Sequence, residues 1–320
     1  MRRLKYIILS IIIVSGVVLC AVRWRVWFVN PAEPEFTGDT LTYHFATFGQ
    51  KSVPGFVQTA DGWQDKKCPD SLQFILLGDV HNTVENLQWT QMAERHPDVD
   101  FYAQLGDFMD RCYFYYAQQL YHQLNGTPFA QLPVATCPGN HEYTKGIVRT
   151  LSDMWYQIFP NPHNGPQRYL GSTYYIDFPN LRLIAIDTNG LHSLSDYTIV
   201  HTWAMEALQG AGNRFRVVMM HHPVYSSARG RQNVLIHVTF RSLASQANLI
   251  FSGHDHNYIR RLPFVGTNAT TRYHRPKNAS APAYSTEQLY QLITVTADSL
   301  RMETRLMNTG ELCDEVTLGH

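Results

Sequence analysis

Apolar residues in this chain fall into short runs that repeatedly end on glycine and a cluster of polar side chains. Gln73-Phe74-Ile75-Leu76-Leu77 runs into Gly78-Asp79-Val80-His81, and a run of that length bounded by a turn reads as a buried strand. A helical pattern follows from about Thr83 to Arg95. The unit recurs from Asp100 to Leu105, leaving through Gly106-Asp107-Phe108-Met109-Asp110-Arg111 into an aromatic helical segment that reaches Leu124. It recurs again where Leu132-Pro133-Val134-Ala135-Thr136 leads to Gly139-Asn140-His141-Glu142. Strand, polar turn, helix is the parallel-sheet unit. Open α/β sheets keep their ligands beyond the carboxyl ends of such strands.

The second half repeats the pattern. Tyr174–Phe178 and Leu181–Asp187 flank Pro179-Asn180 as a predicted hairpin, and a helix is expected around Thr198 to Leu208. The strand Arg216–Met220 ends in His221-His222-Pro223, a helix is expected from about Asn233 to Ala244, and Asn248–Phe251 ends in Ser252-Gly253-His254-Asp255-His256. Tyr290 to Leu306 reads as two alternating strands closing a sheet. The pattern predicts an α/β catalytic domain over 71–320, preceded by 31–70 as a linker with edge strands around Leu41–Phe45.

The N-terminus changes the picture. Uncharged residues from Tyr6 to Val22 lie between Arg2, Arg3, Lys5 on one side and Arg23, Arg25 on the other, with Trp24, Trp27 and Phe28 beside them. Such a run predicts a membrane helix over 1–30, a signal anchor in preference to a cleaved signal peptide, with the catalytic domain exported. The whole chain carries 26 basic and 26 acidic residues. Without the five basic flanking residues the body has 21 against 26, about −5, so nucleic acid, whose binding leans on dense basic patches, is not expected as a partner. The cysteines beyond the anchor, Cys68, Cys112, Cys137 and Cys313, show no metal-binding spacing, so disulfides and buried free thiols both remain open.

A lone histidine on a strand is ordinarily a hydrogen-bonded core residue. Six of the 15 histidines here behave differently. His81, His141, His221, His222, His254 and His256 all fall just past strand ends, where Asp79, Asp107 and Asn140 also stand. Mixed imidazole, carboxylate and amide donors suit divalent Mn, Fe or Zn better than calcium. Two such ions about 3.5–4 Å apart, sharing a carboxylate, generate hydroxide for hydrolysis near neutral pH. Arg111 would then neutralise phosphoryl charge and bind substrate, and His141 would protonate the leaving group.

Five blocks stand in order between Gly78 and His256: Asp-x-His, Gly-Asp-x-x-Asp-Arg, Gly-Asn-His-Glu, a histidine, and Gly-His-x-His. In this the chain resembles the calcineurin-like metallophosphoesterases. The resemblance implies a four-layer αββα sandwich, with Asp79, His81 and His256 on one metal, Asn140, His221 and His254 on the other, and Asp107 between them. The His-x-Pro spacing at His221 is similar to that of the purple acid phosphatases and leaves His222 for substrate. Asp110 stands where those enzymes carry a metal-binding tyrosine, so their colour should be absent. The front half instead looks like the serine/threonine phosphoprotein phosphatases, which implies that Asp110 orients His141. The expected activity is hydrolysis of phosphomonoesters, with a phosphodiesterase or nucleotide pyrophosphatase as the enzymatic alternative and a non-catalytic binding module as the remaining one. Selectivity is expected from three loops, Tyr113–Tyr121, Tyr143–Gly171 and Gly266–Ser285.

Overall fold

Period-two alternation divides the central strands between two cores. Strand Leu181–Ile186 turns Leu181, Leu183 and Ala185 into one buried cluster and Ile184 and Ile186 into another. Strand Phe215–Met220 does the same with Val217 and Met219 against Val218 and Met220, as side chains that alternate across a pleated strand must. The first cluster continues into Phe74, Phe101 and Ile293 of a second sheet; the other is closed by Val200, Ala204 and Leu208 of helix Leu194–Gln209 and by Ile236 and Phe240 of helix Val234–Phe240. A stack of Phe74, Phe101 and Phe178, with centroids 4.5 and 4.9 Å apart, joins the two sheets.

This architecture comes from a computed structural model that describes residues 35–37, 40–45, 49–54, 56–59, 62–65, 71–83, 88–125, 127, 132–145, 149–159, 161–277 and 283–320. One sheet has eight strands and the other six. In the six-stranded sheet Leu72–Leu77, Phe101–Gln104 and Val134–Thr136 run parallel; in the eight-stranded sheet Leu181–Ile186, Phe215–Met220 and Leu249–Ser252 run parallel. Trp89 and Met92 of helix Gln88–Glu94 and Ala117 and Leu120 of helix Phe114–Asn125 join the cluster between the sheets. The result is the mixed α/β architecture with two packed sheets.

The stretch read as a linker is richer in strands than expected. Three of them, Glu35–Thr37, Thr40–Phe45 and Gly49–Pro54, form a small antiparallel sheet, and Gly62–Asp65 pairs with Tyr174–Asp177 at the margin of the larger one. The apolar run Tyr6–Val22 lies outside the described residues, among which no helix is long and apolar enough to cross a membrane. Cys112, Cys137 and Cys313 are free thiols; Cys68 also lies outside the described residues.

Candidate metal centre

Backbone strain marks the site. His81, Asp107, His254 and His256 adopt φ of 45°, 53°, 67° and 49°, and they are the non-glycine residues with positive φ among the described residues. Each costs on the order of 1–3 kcal/mol that packing must hold in place. What holds Asp107 is Glu142, fully buried, whose carboxylate accepts the backbone N–H of Asp107 (2.8 Å), Met109 (3.0 Å) and Gly139 (2.7 Å). Burial, with the charge of Asp107 beside it, pushes the Glu142 carboxyl up to about 7. Gly139 is required because a Cβ there would stand 2.2 Å from both the amide nitrogen and Oδ1 of Asp107.

The predicted ligands converge in two groups that share one carboxylate. In the first, His81 Nε2 lies 3.2 Å from His256 Nε2, which is 3.5 Å from Asp79 Oδ1. Asp79, His81, Asp107 and His256 each bring a ligand atom within 4.8 Å of the others. In the second, His221 Nε2 lies 3.1 Å from Asn140 Oδ1 and 3.1 Å from His254 Nδ1. Asp107 Oδ2 belongs to both, 3.4 Å from His221 Nε2 and 3.9 Å from His81 Nε2. Its other oxygen accepts the His141 backbone N–H at 2.7 Å.

Partners of the rings set their tautomers. His221 Nδ1 is 2.9 Å from the Leu105 carbonyl, which only accepts, so the proton sits there and the Nε2 lone pair faces the centre. The Asp79 carboxyl is buried, which raises its proton affinity, but His256, His221 and His81 outweigh burial and hold it well below the usual carboxylate range. Burial pushes His254 far below the ordinary imidazole value, helped by His221, His222 and Arg231, and it pushes His222 down to about 3, with His221 and Arg231 adding to the effect. A buried, charge-ready carboxylate set facing neutral imidazole lone pairs and an amide oxygen fits divalent transition-metal ions.

Two expected arrangements are corrected. The Asp110 carboxylate does not reach His141: it lies 3.4 Å from His81 Nδ1 and 2.9 Å from Arg272 Nη1, and its backbone carbonyl takes the His141 Nδ1–H instead. The turn that aims Asp110 is fixed by Asn82 Oδ1, which accepts the Asp110 N–H at 2.9 Å. His81 and Arg272 hold the Asp110 carboxyl well below its ordinary value against burial. With its neighbour held this way, Arg111 projects outward, 48% exposed, its Nε 3.8 Å from Asp110 Oδ2. It does not line the cleft, whereas His222 does, its Nδ1 3.0 Å from Thr188 Oγ1.

The cleft over the ligand groups has a volume of about 630 Å³ and is walled by residues that no motif announced: Arg149, Arg231, Arg272 and His274. Arg231 Nη2 lies 2.8 Å from His254 Nε2 and donates to the His254 carbonyl at 2.9 Å. Asp255, within the last motif, positions it by accepting Ser226 Oγ, Ser227 N–H and Ala228 N–H at 2.7, 2.6 and 3.1 Å. The His274 ring packs on His256 at 4.9 Å. Gln104 is another residue passed over; it accepts the Gly106 N–H at 2.7 Å and donates to the Gly78 and Gly106 carbonyls. A lone amide inside the apolar run Phe101–Leu105 was the signal for it.

A family model described as calcineurin-like phosphoesterase matches residues 72–258. Among solved structures, the fold is similar to a purple acid phosphatase from yellow lupin (Lupinus luteus) seeds, with TM-score 0.64, 14% identity and 88% of this chain covered. This chain spans 59% of the lupin chain's length. GAP50, the anchor in the inner membrane complex of Plasmodium, is similar over 78% of this chain and 89% of its own, with TM-score 0.55 and 15% identity. No curated protein matches the chain in sequence.

Proposed function

Because the chain belongs to the calcineurin-like phosphoesterases, we propose that it hydrolyses phosphomonoesters with a pair of divalent ions, Mn, Fe or Zn, held across Asp107. The observation that carries the reading is the shared position of Asp107 Oδ2 between His81 and His221. Asp79, His81 and His256 would hold one ion, and Asn140, His221 and His254 the other. When bound, such ions polarise the phosphoryl group and bring the pKa of the attacking water towards about 7.

The chain's own residues account for the rest. His141 donates a hydrogen bond from Nδ1–H to the Asp110 carbonyl, so Nε2 is the atom that holds a proton for the leaving group. His222, braced by Thr188, and Arg231 at the cleft wall face the phosphoryl oxygens. Asp110 and Arg272 orient His81, a task distinct from the one expected of Asp110 at His141. The apolar N-terminal run with basic flanks supports a membrane-anchored protein with this domain exported.

The test is release of p-nitrophenol by the full-length protein from p-nitrophenyl phosphate and from bis(p-nitrophenyl) phosphate, with and without chelator. Faster turnover of the monoester, lost on chelation and restored by Mn or Zn, is expected. A preference for the diester would transfer the assignment to the phosphodiesterases, and activity indifferent to chelation would refute it.

A further inference from the structure

The cleft is far larger than one phosphoryl group needs, and its walls are of one character. Among the described residues its lining includes no aliphatic, phenyl, phenol or indole side chain. Ligand pockets of this size ordinarily offer apolar surface to the body of the ligand. Among the described residues a neutral or greasy leaving group would find guanidinium, imidazole, one amide, one carboxylate and glycine. Three arginines share that wall, while Asp107 is the one carboxylate among the described lining residues and is already engaged at its floor.

The guanidinium groups retain unused donors. Arg149 is exposed, lines the cleft with His222, and makes no ion pair among the described residues. Arg272, 51% exposed, spends Nη1 on Asp110 and lines the cleft. Five N–H donors in a fixed fork suit bidentate capture of phosphate or carboxylate. The wall that carries Arg231 and Arg272 is also stiff, because the two loops are stitched together by Arg229 N–H to the Arg275 carbonyl at 3.1 Å and Lys277 N–H to the Ser227 carbonyl at 2.7 Å.

We propose that the substrate is a small phosphomonoester whose leaving group carries a second anionic group, phosphate or carboxylate, gripped by Arg149 and Arg272 while the scissile phosphoryl sits over Asp107. This deepens the phosphomonoesterase reading and rests on it.

The experiment compares kcat/KM for matched pairs in the full-length, metal-loaded protein: fructose 1,6-bisphosphate against fructose 6-phosphate for a second phosphate, and 3-phosphoglycerate against glycerol 3-phosphate for a carboxylate. A preference of roughly tenfold or more for the doubly anionic member of at least one pair is expected, the weight of a single charge-assisted contact. Arg149→Ala and Arg272→Ala should each shrink that ratio, mainly through KM of the doubly anionic compound. Arg149 makes no ion pair among the described residues, so its variant reports on binding even if Arg272→Ala disturbs the loop at Asp110. Ratios near one in both pairs, or ratios untouched by either substitution, would overturn the proposal with the phosphatase reading intact. No turnover of any monoester, p-nitrophenyl phosphate included, would overturn both.

Discussion

Replacing Gly139 by alanine perturbs the centre at its tightest point. The added Cβ would stand 2.2 Å from Asp107 Oδ1 and 2.2 Å from its amide nitrogen, against an ordinary contact of about 3.5 Å, so something must move by about 1.3 Å. The amide is fixed by Glu142 at 2.8 Å and Oδ1 by the His141 N–H at 2.7 Å, which leaves displacement of the whole Asp107 turn. Overpacking of this kind costs about 1–3 kcal/mol, and a 1 Å misplacement near reacting groups can cost roughly 100-fold in rate. We therefore expect Gly139→Ala to lower kcat/KM for p-nitrophenyl phosphate by roughly two orders of magnitude and to shift the urea midpoint by that modest stability loss. Gly212→Ala is the control: its φ of 64° makes alanine strained, but nothing lies within 4 Å of the new Cβ, so stability should fall and activity should not. Gly139→Ala with wild-type kcat/KM would refute the claim that the Asp107 turn is held rigidly for chemistry.

Two further predictions concern titration and packing. Burial lowers the His141 pKa from 6.5 and outweighs the raising effect of Asp107; an acid must be protonated to act, so the alkaline limb of kcat/KM should fall below pH 6.5 and disappear in His141→Gln, as pH profiles of both proteins would show. Asp177 pairs with buried Arg182 through two hydrogen bonds, and Arg182 Nη1 also donates to the Ala207 carbonyl at 2.8 Å. Asp177→Ala strands that cation and should cost about 3–5 kcal/mol in urea unfolding, whereas the apolar pair Asp177→Leu with Arg182→Met should recover most of the loss.

How far the sequence could be read depended on the range of the interaction. Each predicted strand end delivers its motif because glycine, a polar turn and an apolar run are local signals, and the side chains that converge at the cleft floor, Asp79, His81, Asp107, Asn140, His221, His254 and His256, were all legible as positions. Which way a side chain points was less so. Asp110 turns to His81 and Arg272, and Arg111 turns outward, because Asn82 and the His141 ring capture the Asp110 backbone first. Arg231 and Arg272 were invisible because their place at the cleft depends on Asp255 and on bonds between two loops distant in sequence. The hairpin Ile259–Arg261 with Phe264–Gly266 was missed because its strands are three residues each and all three residues of the first are exposed, leaving no buried alternation to read. Leu312–Gly319 was missed because its Cys-Asp-Glu segment breaks the apolar alternation of an edge strand.

The central claim is that Asp107 serves two metal ions at once. Elemental analysis of the full-length protein and of Asp107→Asn, read beside phosphate release, tests it most directly. The account predicts two divalent ions per wild-type chain, fewer than two in Asp107→Asn, and loss of most of the activity with them. An Asp107→Asn protein that keeps both ions and wild-type turnover would contradict it.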